Sequence, residues 1–357
     1  MRIAQVAPLY ESTPPSLYGG TERVVAYLTD ALVDMGHDVT LFASADSRTR
    51  ARLVEARARA IRLDPNPLKS DVAAHLSMLF DVRARAGEFD ILHFHVDPLQ
   101  FPLFEAHARR TVTTLHGRLD LTDLAPMYRR WPRFPLVSIS RAQRAPLPLV
   151  KWAGTVHHGL PLDLFDFSPR HRGYLAFLGR MSPEKRPDRA IRVARRMGVT
   201  LRMAAKIDAV DRAYFDEAIE PLMEAPEIEF LGEIGDRDKN ALLGGAAALL
   251  FPIDWPEPFG LVMIEAMACG TPVVAWAGGS VAEVIDHGRT GFIVRSEDEA
   301  VAAIERIDTI DRAHVRQVFE RRFSARAMAR GYLEVYARVL GFDRGSRVGP
   351  EPEYECA

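Results

Sequence analysis

Two hydrophobic periods alternate along the chain. Short apolar runs with alternating or continuous burial patterns are separated by longer segments whose apolar positions recur every three or four residues. Arg2–Ala7, Asp38–Ala43, Phe89–His95, Thr111–His116 and Leu136–Ser140 read as strands. Thr21–Met35 reads as a helix, with Val24, Val25, Leu28, Leu32 and Met35 on or near one face, and Asp71–Ala86 as another. From Lys151 to Arg172 turn residues take over, which reads as a link. Alternation then restarts with Tyr174–Gly179, Thr200–Ala205, Ile228–Leu231, Ala247–Pro252, Pro272–Trp276 and Gly291–Arg295. Ser324–Leu340 is a last helix, with Met328, Tyr332, Val335 and Val339 on its apolar face. Strand–helix alternation of this kind predicts an α/β fold of two doubly wound parallel sheets, the first domain looking the leaner. Residues 342–357 hold little apolar content and read as a disordered tail.

Composition narrows the class. The chain has 357 residues, enough for two domains, with 48% hydrophobic and 26% charged residues. A net charge of −2 gives no general attraction to nucleic acid. Arginines cluster at 48–62 and 129–133, but residues 1–170 carry 21 Lys and Arg against 18 Asp and Glu. That excess reads as a solvated face, with an anionic acceptor or a peripheral membrane contact as the sharper alternative. Cys269 and Cys356 are the only cysteines, too few for a disulfide framework or a zinc site. The apolar run before Pro8 is too short for a signal peptide, and no run approaches the ~18 residues of a membrane helix. A cytoplasmic protein is the expectation.

The densest chemistry lies between Ala246 and Ser280. A buried strand is followed by Asp254-Trp255-Pro256-Glu257-Pro258, then by an apolar helix expected from about Phe259 to Cys269, with Pro258 in its first turn. Glu265 stands alone among Leu261, Val262, Met263, Ile264, Ala266 and Met267, so its carboxylate must find a partner or neutralise. Glu257 falls at the carboxyl end of the strand, where open parallel sheets bind ligands. Arg180 and Lys185 follow the first strand of the second half in the same way and make a candidate anion site at a helix start. Adjacent Gly19 and Gly20 precede the first helix and let backbone N–H groups approach a ligand. His116 ends a strand; His93 and His95 share one strand face and read as core or cleft-lining, with no third metal ligand evident. His157-His158 stays unassigned. Asp236-Arg237-Asp238 is read as capping a helix over Lys239–Gly244 rather than as a metal-binding D-x-D. No dinucleotide glycine fingerprint is present, which argues against a nicotinamide dehydrogenase.

The segment EPFGLVMIEAMACGTPVVA, with seven residues between Glu257 and Glu265, resembles the paired-glutamate motif of family 4 retaining glycosyltransferases. The resemblance implies a GT-B architecture of two facing Rossmann-like domains. It places an acceptor-side domain at 1–165, a nucleotide-sugar domain at 166–322 and a helix at 323–341 crossing back to the first domain. It implies a retaining, metal-independent transfer from a nucleotide-sugar donor to an acceptor hydroxyl, with no cofactor. The acceptor, whether glycan, lipid or small molecule, is left open. Glu257, with His116, Gly19 and Gly20, would meet the donor sugar or phosphate, and Arg180 and Lys185 the diphosphate. Glu265 would hold the ribose, with Ile234, Lys239, Phe259, Gly260, Leu261 and Val262 completing the donor site. An epimerase on the same architecture, or a non-catalytic sugar-nucleotide-binding protein, are the rival readings.

Overall fold

The computed structural model describes residues 1–17 and 19–341, so the tail and Cys356 lie outside the described residues. Seven strands form the first sheet: β1 (Arg2–Val6), β2 (Asp38–Ser44), β3 (Arg52–Arg57), β4 (Ile91–Phe94), β5 (Thr111–Thr114), β6 (Leu136–Ser138) and β7 (Trp152–Thr155). Six form the second: β8 (Tyr174–Arg180), β9 (Leu201–Lys206), β10 (Ile228–Gly232), β11 (Ala246–Phe251), β12 (Val273–Trp276) and β13 (Gly291–Val294). Their orders are β3-β2-β1-β4-β5-β6-β7 and β10-β9-β8-β11-β12-β13, and every pairing is parallel. In each sheet the order reverses beside the first strand, between β1 and β4 and between β8 and β11. Such a reversal opens a crevice at the carboxyl ends, because the connecting helices diverge to opposite faces.

Two expectations change here. The first domain is not lean; it has the larger sheet. Its extra strands are β3, which sequence showed only as an arginine cluster, and β7, which fell inside the expected link. Both are edge strands, only partly buried, so neither carries the continuous apolar run of a central strand. The cluster arginines are also paired: Arg50 with Asp34 at 2.6 Å, Arg57 with Asp64 at 2.6 Å and Arg62 with Glu11 at 3.4 Å.

Two chain crossings join the domains. Leu160, in the outgoing segment, bridges Ser324 in the returning one: Leu160 N donates to Phe323 O at 2.9 Å and Ala325 N donates to Leu160 O at 2.7 Å. Gly159 allows this approach, since a Cβ there would overlap the Ser324 carbonyl. The last helix, Ala325–Leu340, starts with the Ser324 side chain capping Ala327 N. It returns to the first domain, where Met328, Ala329, Tyr332, Val335 and Tyr336 pack with Ile3, Ile91, Val112 and Val137 of the sheet. Leu160 and Phe165 already belong to the second domain's core.

Candidate active site

The facing carboxyl ends of the two sheets enclose a cleft with two lobes. The larger, about 660 Å³, takes residues from both domains, among them Tyr10, His95, Asp97, His116, Phe259 and Gly260. The smaller, about 290 Å³, reaches Arg180, Lys206, Ile234, Lys239 and Glu265. Gly19, Gly20, Lys185, Glu257, Leu261 and Val262 line both lobes. Every residue singled out from the sequence as a site residue therefore borders this one cleft.

Glu257 is held rigidly. Its backbone N–H donates to Trp255 O at 2.8 Å, and its carbonyl accepts from Ser280 N at 3.0 Å. The turn carrying Ser280 lies so close that a Cβ on Gly279, at φ 49°, would overlap the Glu257 backbone. The Glu257 carboxylate is almost fully buried; its Oε2 accepts from Lys185 Nζ and from Trp255 Nε1 at 3.0 Å. The helix that follows runs Leu261–Ala268, later than expected, because Gly260 caps it in the left-handed region at φ 78° and leaves Pro258 and Phe259 outside. Glu265 finds the partner its setting demands: Lys239 Nζ donates to Oε1 at 3.1 Å. Its Oε2 is buried with no protein partner.

Arg180 is less free than sequence suggested. Glu184 sits 3.0 Å from its guanidinium, with Asp208 at 3.8 Å and Asp211 at 3.7 Å. The aspartate pair is also corrected. The helix begins at Asp236, and its N-cap is Gly235, so Asp236 and Asp238 lie in the first turn and neither caps by its side chain. Asp236 instead reaches across the cleft to Arg23 at 2.5 Å.

The first-domain wall is built differently. His95 Nδ1 lies 2.9 Å from His116 Nε2, and His95 Nε2 lies 2.8 Å from Gln5 Oε1. His158 stacks on His116 with ring centroids 5.2 Å apart. Burial keeps all of these imidazoles neutral, lowering His116 to about 3 and His95, His93 and His158 well below the ordinary range. His93 is a core residue, bonded to Tyr336 and Thr114, whereas His95 lines the cleft. Asp97 stands at φ 52°, exposed along the cleft, yet the surrounding walls desolvate its carboxyl and raise its pKa to about 6.

Sequence reasoning missed several cleft residues. Lys206 ends β9 at the sheet edge where Arg180 ends β8, and that position was the available signal. Arg23 carried none: it reads as an ordinary helix residue, and only the facing domain makes it a nearly buried cation. Asp97 follows β4 as Glu257 follows β11, and the same strand-end rule would have found it. Among the described residues, no group of three or more His, Cys, Asp or Glu side chains is arranged to hold a metal ion. No described helix is long and apolar enough to cross a membrane.

Comparison with known proteins agrees with this architecture. Residues 167–317 match the family model for glycosyl transferases group 1, and residues 18–159 match that for glycosyltransferase family 4. A phosphatidyl-myo-inositol mannosyltransferase of Mycolicibacterium smegmatis is 26% identical over 374 aligned positions, covering 95% of this chain and 92% of the relative. A D-inositol 3-phosphate glycosyltransferase of Mycobacteroides abscessus is 33% identical over 226 positions, covering 57% of this chain and 49% of the relative. Among solved structures, AviGT4, a glycosyltransferase involved in avilamycin A biosynthesis, superposes with a TM-score of 0.72 at 24% identity, covering 95% of this chain and 98% of its own. Anabaena HepE in complex with UDP and glucose superposes at 0.73 and 20% identity, covering 95% and 100%. The two family models lie end to end, one over each domain, and the chain belongs to the family 4 glycosyltransferases of the GT-B fold.

Proposed function

We propose that this glycosyltransferase takes its sugar from a nucleotide-sugar donor and transfers it with retention, without a divalent metal. The observation that carries the reading is the pairing of both motif glutamates with lysines in one cleft: Glu257 with Lys185, and Glu265 with Lys239. An incoming diphosphate competes for Lys185, with Arg180 at the adjoining strand end, and frees the Glu257 carboxylate to accept hydrogen bonds from sugar hydroxyls. Glu265 Oε2, buried and unpartnered, suits a ribose hydroxyl in the smaller lobe. Gly19 and Gly20 bring backbone N–H groups from the facing domain. In the transfer, the anomeric C–O bond to phosphate breaks and its electron pair leaves with the nucleoside diphosphate. The acceptor oxygen bonds to the same face of the anomeric carbon, and its proton passes to the departing phosphate oxygen. Fixed cations stabilise that developing charge, a role a metal ion fills elsewhere.

HepE was solved with UDP and glucose, so UDP-sugars are the first donors to screen, by slow hydrolysis without acceptor. Turnover is then measured in excess EDTA. Activity that persists supports the reading; activity that vanishes and returns with Mg²⁺ or Mn²⁺ removes its metal-independent part. A product in which the sugar stays on the nucleotide, with one carbon inverted, would make the protein an epimerase.

The acceptor side suggests a bilayer. The helix Asp71–Ala84 buries His75, Met78, Leu79 and Val82 but exposes Val72, Leu76 and Phe80, one turn apart, and Leu68 continues the row. Lys69 and Arg83 are exposed beside them. Asp81 is exposed there too, so the apolar row and not a net positive charge carries the reading: we infer that this face touches a membrane that carries or borders the acceptor. Co-sedimentation with phosphatidylglycerol vesicles should be lost in Phe80→Asp; equal binding by both proteins would remove the inference.

A further inference from the structure

The face of the first sheet under the last helix changes character along each strand. β1 presents Ile3 and then Gln5; β4 presents Ile91, then His93, with His95 just beyond; β5 presents Val112 and then Thr114, with His116 beyond. Gln5, His93, His95 and Thr114 are buried, His116 is half-buried at the cleft, and the groups are joined without a break. Gln5 Nε2 lies 3.1 Å from Tyr336 Oη, and Tyr336 Oη lies 2.7 Å from His93 Nδ1. His93 Nε2 lies 2.8 Å from Thr114 Oγ1, which lies 2.9 Å from Tyr332 Oη. On the other branch, Gln5 Oε1 meets His95 Nε2 and His95 Nδ1 meets His116 Nε2.

We propose that Gln5, His95 and Tyr336 are positioning residues that fix which ring nitrogen of His116 is bare, so that the C-terminal helix sets how the cleft histidine meets a sugar hydroxyl. A neutral imidazole has one N–H and one lone pair, and a buried chain of such groups must run in one direction. Gln5 donates its amide N–H to Tyr336, so its carbonyl oxygen faces His95 and can only accept. His95 therefore carries its proton on Nε2, and its bare Nδ1 accepts from His116 Nε2–H. His116 is left with a bare Nδ1, and that atom is buried with no protein partner. Tyr336, accepting from Gln5, sends its own proton to His93. Turning the Gln5 amide over would reverse every bond and give His116 a proton on Nδ1 in place of a lone pair. Tyr336 accepts the amide N–H, and this direction is the one that leaves a lone pair rather than an N–H without a partner at His116 Nδ1.

The idea rests on the transferase reading only for its kinetic consequence; the tautomer is observable without activity. Nitrogen NMR of the full chain, with ¹⁵N-histidine and His116 assigned through His116→Asn, should show Nε2 protonated and Nδ1 bare in the wild type. Gln5→Leu should populate both tautomers of His116 and lower donor turnover by roughly 10- to 100-fold, as loss of an orienting partner does elsewhere, with nucleoside diphosphate affinity unchanged. Gln5→Glu should restore the wild-type tautomer, because a carboxyl oxygen still accepts from His95 Nε2–H. Tyr332→Phe, which removes a buried hydroxyl from the same helix but off this branch, should leave His116 unaltered. A proton on His116 Nδ1 in the wild type, or one unchanged tautomer across wild type and Gln5→Leu, overturns the proposal. If the tautomer responds as expected while no nucleotide sugar is turned over, the relay stands and the transferase reading fails.

Discussion

The two walls of the cleft handle polarity in opposite ways. The second domain places full charges there and ties them to one another: Lys185 with Glu257, Lys239 with Glu265, Arg180 among Glu184, Asp208 and Asp211. The first domain carries charges at its margin, Arg23 and Asp97, but at its central strand ends it places neutral histidines and ties them, through Gln5, to tyrosines of the last helix. Paired charges can exchange partners, so an anionic ligand can enter by substitution without leaving a bare ion buried. A neutral chain has no such freedom; its value is direction, each group fixing whether the next donates or accepts. The donor wall is thus suited to gripping an anion and releasing it, and the facing wall to presenting one lone pair in one place.

The sharpest way to break this contrast is to remove the cation that would meet the leaving group. Lys185→Ala should lower turnover by about 10²- to 10³-fold at saturating donor, the usual cost of losing a group that stabilises developing charge. Unchanged turnover with a raised donor KM would make Lys185 a binding cation only. Next in size, Glu265→Ala should weaken nucleoside diphosphate binding by roughly 1–3 kcal/mol, the cost of losing charged hydrogen bonds, by titration calorimetry. Glu257→Ala should leave that affinity nearly unchanged and reduce turnover instead. Equal losses of affinity in both variants would erase the division between sugar and nucleotide.

Smaller effects are expected where the walls meet. The Arg23–Asp236 pair joins the domains across the cleft, and Asp236 is partly exposed. Its contribution to closure is therefore about 1 kcal/mol or less. Arg23→Met should enlarge the radius of gyration in small-angle scattering, and nucleoside diphosphate should restore the compact value. A radius identical to wild type would show that the Leu160–Ser324 crossing alone holds the cleft shut. The smallest effect is that of Asp97, close enough to Tyr10 and Tyr128 for its charge to raise their pKa values. With its own carboxyl raised to about 6, the folded protein keeps a proton that the unfolded chain releases at lower pH. Ionisation therefore costs stability as pH rises through that window, fully so above 6. Asp97→Asn should raise the melting temperature slightly at pH 8 and little at pH 4; the reverse order would contradict the assignment.

Much of this was legible in the chain itself. Central strands announce themselves by continuous apolar runs, because both their faces are buried. A lone glutamate on an apolar helix announces a site, because a carboxylate there needs a partner. The strand-end rule placed Arg180, Lys185 and Glu257 along one edge, because a parallel sheet turns all its carboxyl ends one way; that His116, at a strand end of the other sheet, faces them was implied by the family resemblance. What the sequence could not show was pairing over distance. Gln5 and Tyr336 are separated by 331 positions and Arg23 and Asp236 by 213, and nothing local in Arg23 or Gln5 distinguishes it from its neighbours. Edge strands β3 and β7 escaped for a related reason: they are half-exposed, so their pattern is set by the sheet they join. The helix after Glu257 starts late because Gly260 turns left-handed against Phe251 and Met263, a contact present only once the strand and helix are packed. Local sequence fixes which groups must be satisfied, and packing alone decides by whom.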